Sequence, residues 1–185
     1  MRPIDTLLRS LDIVEDEAYL ERKLKDNGRF AARLYLFGAF LGLSLWGWDY
    51  VTDPIGAKRT WTLRLFFLVL AVIPLLFKKI ENRRLLTICV VGLTLMTEIV
   101  YLLILNRLEG GMVYGLAGFM FYMMVPSLAF VAFSFLSGLI YILLAALLPH
   151  LLAMTGIVPG FSHLHYAVLI WPAAILSVLI EYTHT

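Results

Sequence analysis

Cysteine is nearly missing from this chain of 185 residues, and so is charge once the first 33 are passed. The one cysteine, Cys89, falls in an apolar run, so no intramolecular disulfide can form and its role is that of a small packing residue. The first residues are a charged segment with no apolar h-region, so no signal peptide is expected. There is no G-x-x-x-x-G-K-[ST], no H-E-x-x-H, no G-x-S-x-G and no dense acidic set to hold metal and phosphate, so phosphoryl and glycosyl transfer are not expected. Alternating segments of about ten residues are absent, which excludes a transmembrane barrel. The prolines at 74, 126, 149 and 172 give no three-plus-three repeat of the kind secondary transporters carry.

What is present is hydrocarbon. Hydrophobic residues make up 61% of the chain and mean hydropathy is +0.87, more than a domain of this size can bury within itself. Lipid is therefore the solvent for most of it. A span needs about 20 apolar residues, and six runs qualify: 34–51, 61–77, 85–105, 112–133, 135–158 and 164–182. The expected fold is all-α and integral to the membrane, a six-transmembrane-helix bundle. The run 112–158 carries no charge at any turn, and its division is placed near Ser134, Ser137 and Gly138, small residues that close a helical hairpin.

Basic residues orient the bundle. With the N-terminus inside, inner flanks hold Arg22, Lys23, Lys25, Arg29, Arg33, Lys78, Lys79, Arg83 and Arg84, against Lys58, Arg59 and Arg107 outside. That excess predicts a multi-pass membrane protein with both termini cytoplasmic. Residues 2–33 balance seven basic against seven acidic side chains, and Ile4, Leu8, Leu11, Val14 and Ala18 recur at helical spacing. Residues 1–33 therefore read as a cytoplasmic amphipathic helix and 34–185 as the membrane domain. The helix either lies on lipid headgroups or serves as a dimer contact or coupling element.

An ionisable group well inside a span costs several kcal/mol and so marks a candidate site. Arg64, Glu98 and His150 are such groups. Glu98 lies eight residues before Asn106, about 12 Å below the outer end of its helix, and His150 lies eight before Val158. Tyr101, Thr94 and Thr97 extend the polar stripe of Glu98, and Pro149 frees a backbone carbonyl beside His150. Two readings follow. Either Glu98 is neutral, or paired with Arg64 or His150, and pins helices together; or Arg64, Glu98, Tyr101 and His150, with Asp49 and Asp53 above, hold a small amphipathic ligand entering from the outer side.

Trp46, Trp48, Tyr50 and Trp61 suit an interfacial aromatic belt, and Asp53-Pro54 is an ordinary helix start. His163 and His165 share the outer face with Asp49 and Asp53, and the four could meet around a metal ion only if the H-x-H segment is extended, since on a helix the two rings point about 200° apart. The ordinary reading is a pair of interfacial histidines. Haem would need His165 to dip inward and oppose His150. No metal or cofactor is otherwise expected.

The chain stops at Glu181-Tyr182-Thr183-His184-Thr185 with no basic anchor, which suggests a domain cut from a longer polypeptide that continues inside. The run Trp48-Asp49-Tyr50-Val51-Thr52-Asp53-Pro54-Ile55-Gly56-Ala57, followed by Thr62-Leu63-Arg64-Leu65, resembles the first outer loop and second helix of six-helix membrane-associated sensor domains (MASE-like) that precede diguanylate cyclases and class III adenylate cyclases in bacteria. The layout matches across most of the chain and the motif across this segment, at Asp49, Asp53, Pro54, Ala57 and Arg64. The resemblance implies a homodimeric receptor, not itself an enzyme, that passes ligand-dependent helix movement through Glu181 and Tyr182 to a cytoplasmic cyclase absent from this chain. The implied partners are lipid, a small-molecule ligand and the output domain, with no nucleic acid. The alternatives are a small transporter, or an enzyme acting on a lipid or quinone with Glu98 and His150 as acid and base.

Overall fold

The computed structural model describes residues 17–77, 79–80, 82–119 and 135–183, and among them every regular element is helical. Helix α1 spans Glu17–Thr52, 36 residues or about 54 Å, and runs without a break through the boundary expected at residue 33. It stops because Asp53 is extended (φ −145°, ψ 83°) and caps the next helix, with Pro54 at the position where a missing N–H costs nothing. Helix α2 (Pro54–Arg64) and helix α3 (Phe66–Phe77) form one rod. Leu65 between them keeps helical angles and donates to the Trp61 carbonyl at 3.1 Å. The second span expected at 61–77 thus sits on a helix that starts seven residues earlier, at the cap.

Helix α4 (Arg83–Arg107) is capped by Asn82, whose side chain accepts from the Leu85 N–H at 3.1 Å. Gly110, at φ +68°, then reverses the chain into a short α5 (Gly111–Tyr114) and a 3-10 turn (Leu116–Gly118). The span expected at 112–133 is described only over this start; residues 120–134 lie outside the described residues. Helix α6 (Phe135–Met154) takes in Ser137 and Gly138, so the expected turn does not lie at those two. Small residues in an apolar helix allow a close neighbour rather than forcing a turn. Gly156, at φ +75°, ends α6: its N–H bonds the Ala153 carbonyl at 3.0 Å and that of Ile157 the Leu152 carbonyl at 3.1 Å, a Schellman closure. Helix α7 (His163–Thr183) completes the chain, within a residue of the expected 164–182.

Four helices among the described residues are long and apolar enough to cross a membrane: Pro54–Phe77, Arg84–Arg107, Phe135–Met154 and His163–Ile180. Their outward side chains are apolar, as at Val72, Ile88, Leu144 and Leu179, which suits lipid and not water. Helix α1 packs on α2 and α3, and α6 packs on α7. Helix α4 stands between these groups, touching α2, α3 and α6. Alanines at 145, 146, 173 and 174 let helices approach, and Tyr141, Phe119, Leu102, Ile104 and Ile170 fill the interior. Tyr35 ties α1 to α4 through Thr94 Oγ1 at 2.6 Å and the Val90 carbonyl at 3.1 Å.

Candidate functional site

The turn between α1 and α2 is held by its own polar residues. Only Asp49 of the Trp48-Asp49-Tyr50 run faces inward, where it forms a buried ion pair with Arg64. The geometry follows from the reversal at Asp53. Gly42 lies eleven residues before the turn and Arg64 ten after Pro54, so both sit about 15–16 Å from it. The Arg64 guanidinium reaches back toward the turn, donating to the Gly42 carbonyl at 2.5 Å and to Asp49, and resting 5.9 Å from the Phe67 ring centre. Of the alternatives open for Glu98, a pair with Arg64 is not formed, because Arg64 is taken by Asp49.

Asp53 joins this turn to the end of α4. Its carboxylate accepts from the Gly56 N–H at 2.9 Å and, across the bundle, from the Glu109 N–H at 2.8 Å. These two backbone donors, Glu109 first, hold the carboxyl below the usual carboxylate range. Trp46 Nε1 donates to the Ala57 carbonyl at 3.0 Å, and Arg107 Nη1 to the Arg59 carbonyl at 3.3 Å. A Cβ on Gly56 would meet the Asp53 carboxylate and lie 3.1 Å from the Arg107 carbonyl, so α2 reaches α4 only because residue 56 is glycine.

Glu98 presents the opposite condition. It is fully buried in α4, and both carboxyl oxygens lack a hydrogen-bond partner among the described residues. Thr94 and Thr97 bond back to the carbonyls of Val90 and Leu93, each at 2.8 Å, and offer it nothing. Tyr101, one turn along, donates to the Gly115 carbonyl at 2.8 Å. Its ring begins a wall that continues through Phe119 at 5.3 Å and on to Tyr166, 5.8 Å from Phe119. Tyr166 lies within electrostatic reach of Glu98, and its hydroxyl donates to the Ala145 carbonyl at 3.3 Å.

His150 does not reach Glu98. Because α6 ends at Met154, His150 lies one turn from the helix end, not the two expected. Its Nδ1 faces Nδ1 of His163 at 2.7 Å, with the ring planes 6° apart. Tyr166 and Phe161 pack edge-on against it at 5.1 and 5.5 Å, and Trp171 lies 6.5 Å away. His165 takes no part in this contact; its backbone N–H is turned to Ser162 Oγ at 3.4 Å. Asp49, Asp53, His163 and His165 are therefore not brought together, and no three His, Cys, Asp or Glu among the described residues converge as a metal would require. His165 does not oppose His150 either, as an axial haem pair would have to.

At the other end of the bundle, Tyr182 of α7 stacks edge-on with Phe135 at the start of α6, 6.2 Å between ring centres. Glu181 is in the last turn of α7. Three residues that matter here escaped the sequence: Tyr166, Phe119 and Ser177, the last buried with a hydroxyl that has no partner among the described residues. Each is uncharged and sits in an apolar run, so no motif or charge singles it out.

The family model MASE8, a membrane-associated sensor domain, matches residues 47–184. The matched region opens just before Asp49 and takes in the α1–α2 turn, Glu98 and both histidine-bearing helices. No curated protein matches the chain, and no solved structure does.

Proposed function

The chain belongs to the MASE8 family of membrane-associated sensor domains, and from that premise we propose that it is a receptor input domain reading a small amphipathic ligand at Glu98. In this reading the bundle has six spans with both termini cytoplasmic, which puts the Asp53 turn outside. The domain is itself non-catalytic and acts as a homodimer. Ligand binding shifts α7, and Glu181 and Tyr182 carry the shift to a cytoplasmic nucleotide cyclase.

The observation that carries this is the state of Glu98. Leaving a buried polar group unsatisfied costs about 1–3 kcal/mol, and more if it is charged. A carboxyl that only pinned helices together would have a partner; this one has two free oxygens among the described residues, beside an aromatic wall. A ligand with a hydroxyl or amine head and an apolar body suits that surface. Asp49, Asp53 and Arg64 support the site as scaffold, since they already bond one another and the backbone.

Native mass spectrometry of the purified domain, with lipid extraction and absorbance recorded on the same sample, tests the reading. A dimer retaining a discrete small molecule that Glu98→Ala loses is the expected result. A bare monomer, or retention unchanged in the variant, overturns it.

A further inference from the structure

The junction between α6 and α7 is closed by two imidazoles. Centres 5.0 Å apart, nitrogens 2.7 Å apart and planes within 6° place the rings edge to edge in nearly one plane, with the nitrogens aimed at each other. Two facing nitrogens at that distance need one proton between them: one ring donates Nδ1–H and the other accepts through a bare Nδ1. The neutral pair meets this condition, and so does the pair carrying a single positive charge, in which the bond becomes charge-assisted. A second positive charge puts a hydrogen on both facing nitrogens and sets two cations in contact.

We infer that His150 and His163 form a proton-binding clasp that holds the first turn of α7 to the end of α6 until both rings are charged, and then releases it. His163 is the exposed member of the pair, at the very start of its helix, and His150 is half-buried behind it. The surroundings offer no counter-charge to hold a doubly charged pair. Tyr166 and Trp171 from α7 and Phe161 from the junction are the rings against it, and Tyr166 has its hydroxyl committed to Ala145. From α4, Asn106 approaches the junction at Gly160, and Glu98 acts on Tyr166. Among the described residues neither ring has a carboxylate within ion-pair distance. His165, two residues on, is the nearest further titratable group in the chain. Tyr166 remains bonded to Ala145 when the clasp opens, so release frees the leading turn of α7 rather than the whole helix.

This inference stands on the histidine pair and does not need a ligand at Glu98. The test uses the full chain with 15N-labelled histidine in lipid nanodiscs, titrated from pH 8 to 4.5. Four imidazoles are present, at 150, 163, 165 and 184. Two of them should titrate as one coupled unit, with the second protonation displaced about one pH unit or more below that of His165. His163→Gln should collapse the coupled curve to a single step, while Glu98→Gln leaves it in place. Four independent curves in the wild-type chain overturn the clasp without reference to any variant. An unchanged His150 curve in His163→Gln also overturns it.

Discussion

Two turns at the same end of the bundle are fastened by different chemistry. At the α1–α2 turn, Asp49 with Arg64, Asp53 with Gly56 and Glu109, and Trp46 with Ala57 secure one reversal several times over. Between α6 and α7, Tyr166 bonds the Ala145 carbonyl and His150 bonds His163, and the second of these depends on protonation. The groups of the first arrangement keep their charge near neutral pH. The leading turn of α7 is held by the side chain that titrates nearest neutrality. A sensor needs a fixed reference and an element with two positions separated by a few kcal/mol. In the proposed reading the first hairpin serves as the reference and the leading turn of α7 as the element with two positions.

The largest effect expected from breaking this comparison is at Arg64. Arg64→Ala leaves Asp49 buried beside an empty space and should cost about 3–5 kcal/mol, whereas Arg64→Ala with Asp49→Leu should recover most of that. Unfolding by added SDS in mixed micelles measures both. If the single and double variants fall equally, the pair does not fix the turn, and the first hairpin is no reference.

Glu98 should respond in the opposite direction. Glu98→Leu removes a group with no partner among the described residues and should raise stability by about 1–3 kcal/mol in the same assay. A loss of similar size would mean that Glu98 is bonded in the folded protein, and the contrast with the Asp49–Arg64 ion pair would fail.

Two glycines sharpen the contrast further. Gly56→Ala forces a Cβ against the Asp53 carboxylate and the Arg107 carbonyl, and should cost about 1–3 kcal/mol. At Gly160, in the α6–α7 junction, the nearest atom to a Cβ is Asn106 Oδ1 at 3.6 Å, an ordinary contact, so Gly160→Ala should stay within about 0.5 kcal/mol. Equal costs would mean the two turns are packed alike.

Much of this was legible in the residues. Hydropathy located the helices at 85–105 and 164–182 to within a few positions, because charge and caps bound them at Asn82, Arg107 and His163. Asp53-Pro54 announced a cap, and the cap is there. The pairing was not legible. The residues left Glu98 neutral or paired with Arg64 or His150, because a pairing depends on which helices are neighbours, and the reversal at Asp53 delivers Arg64 to α1 first. His150 was placed too deep for a related reason. The stop at Gly156 comes from a left-handed residue, and hydropathy, which runs on to Val158, is blind to it.

The smallest expected effect separates the two turns by pH. Asp53 is held below the usual carboxylate range in the folded chain, so its contribution is complete above the unfolded value of about 3.9 and is lost only as pH falls through the lower folded one. The α1–α2 turn should therefore hold until below about pH 4, while the α6–α7 junction should let go at the higher pH at which the histidine pair takes its second proton. Asp53→Asn keeps an acceptor for the Gly56 N–H but turns its NH2 toward the Glu109 N–H, so at neutral pH the turn should be weakened by the loss of that one bond. It also removes the acid dependence of that turn alone. Hydrogen exchange followed on peptides covering 46–60 and 150–165, corrected for the intrinsic effect of pH, checks this. The second peptide should lose protection at the higher pH in both proteins, and the first should lose it at low pH only where residue 53 is aspartate. Loss of both together would mean that acid acts on the bundle as a whole, with no clasp and no fixed reference between which α7 could move.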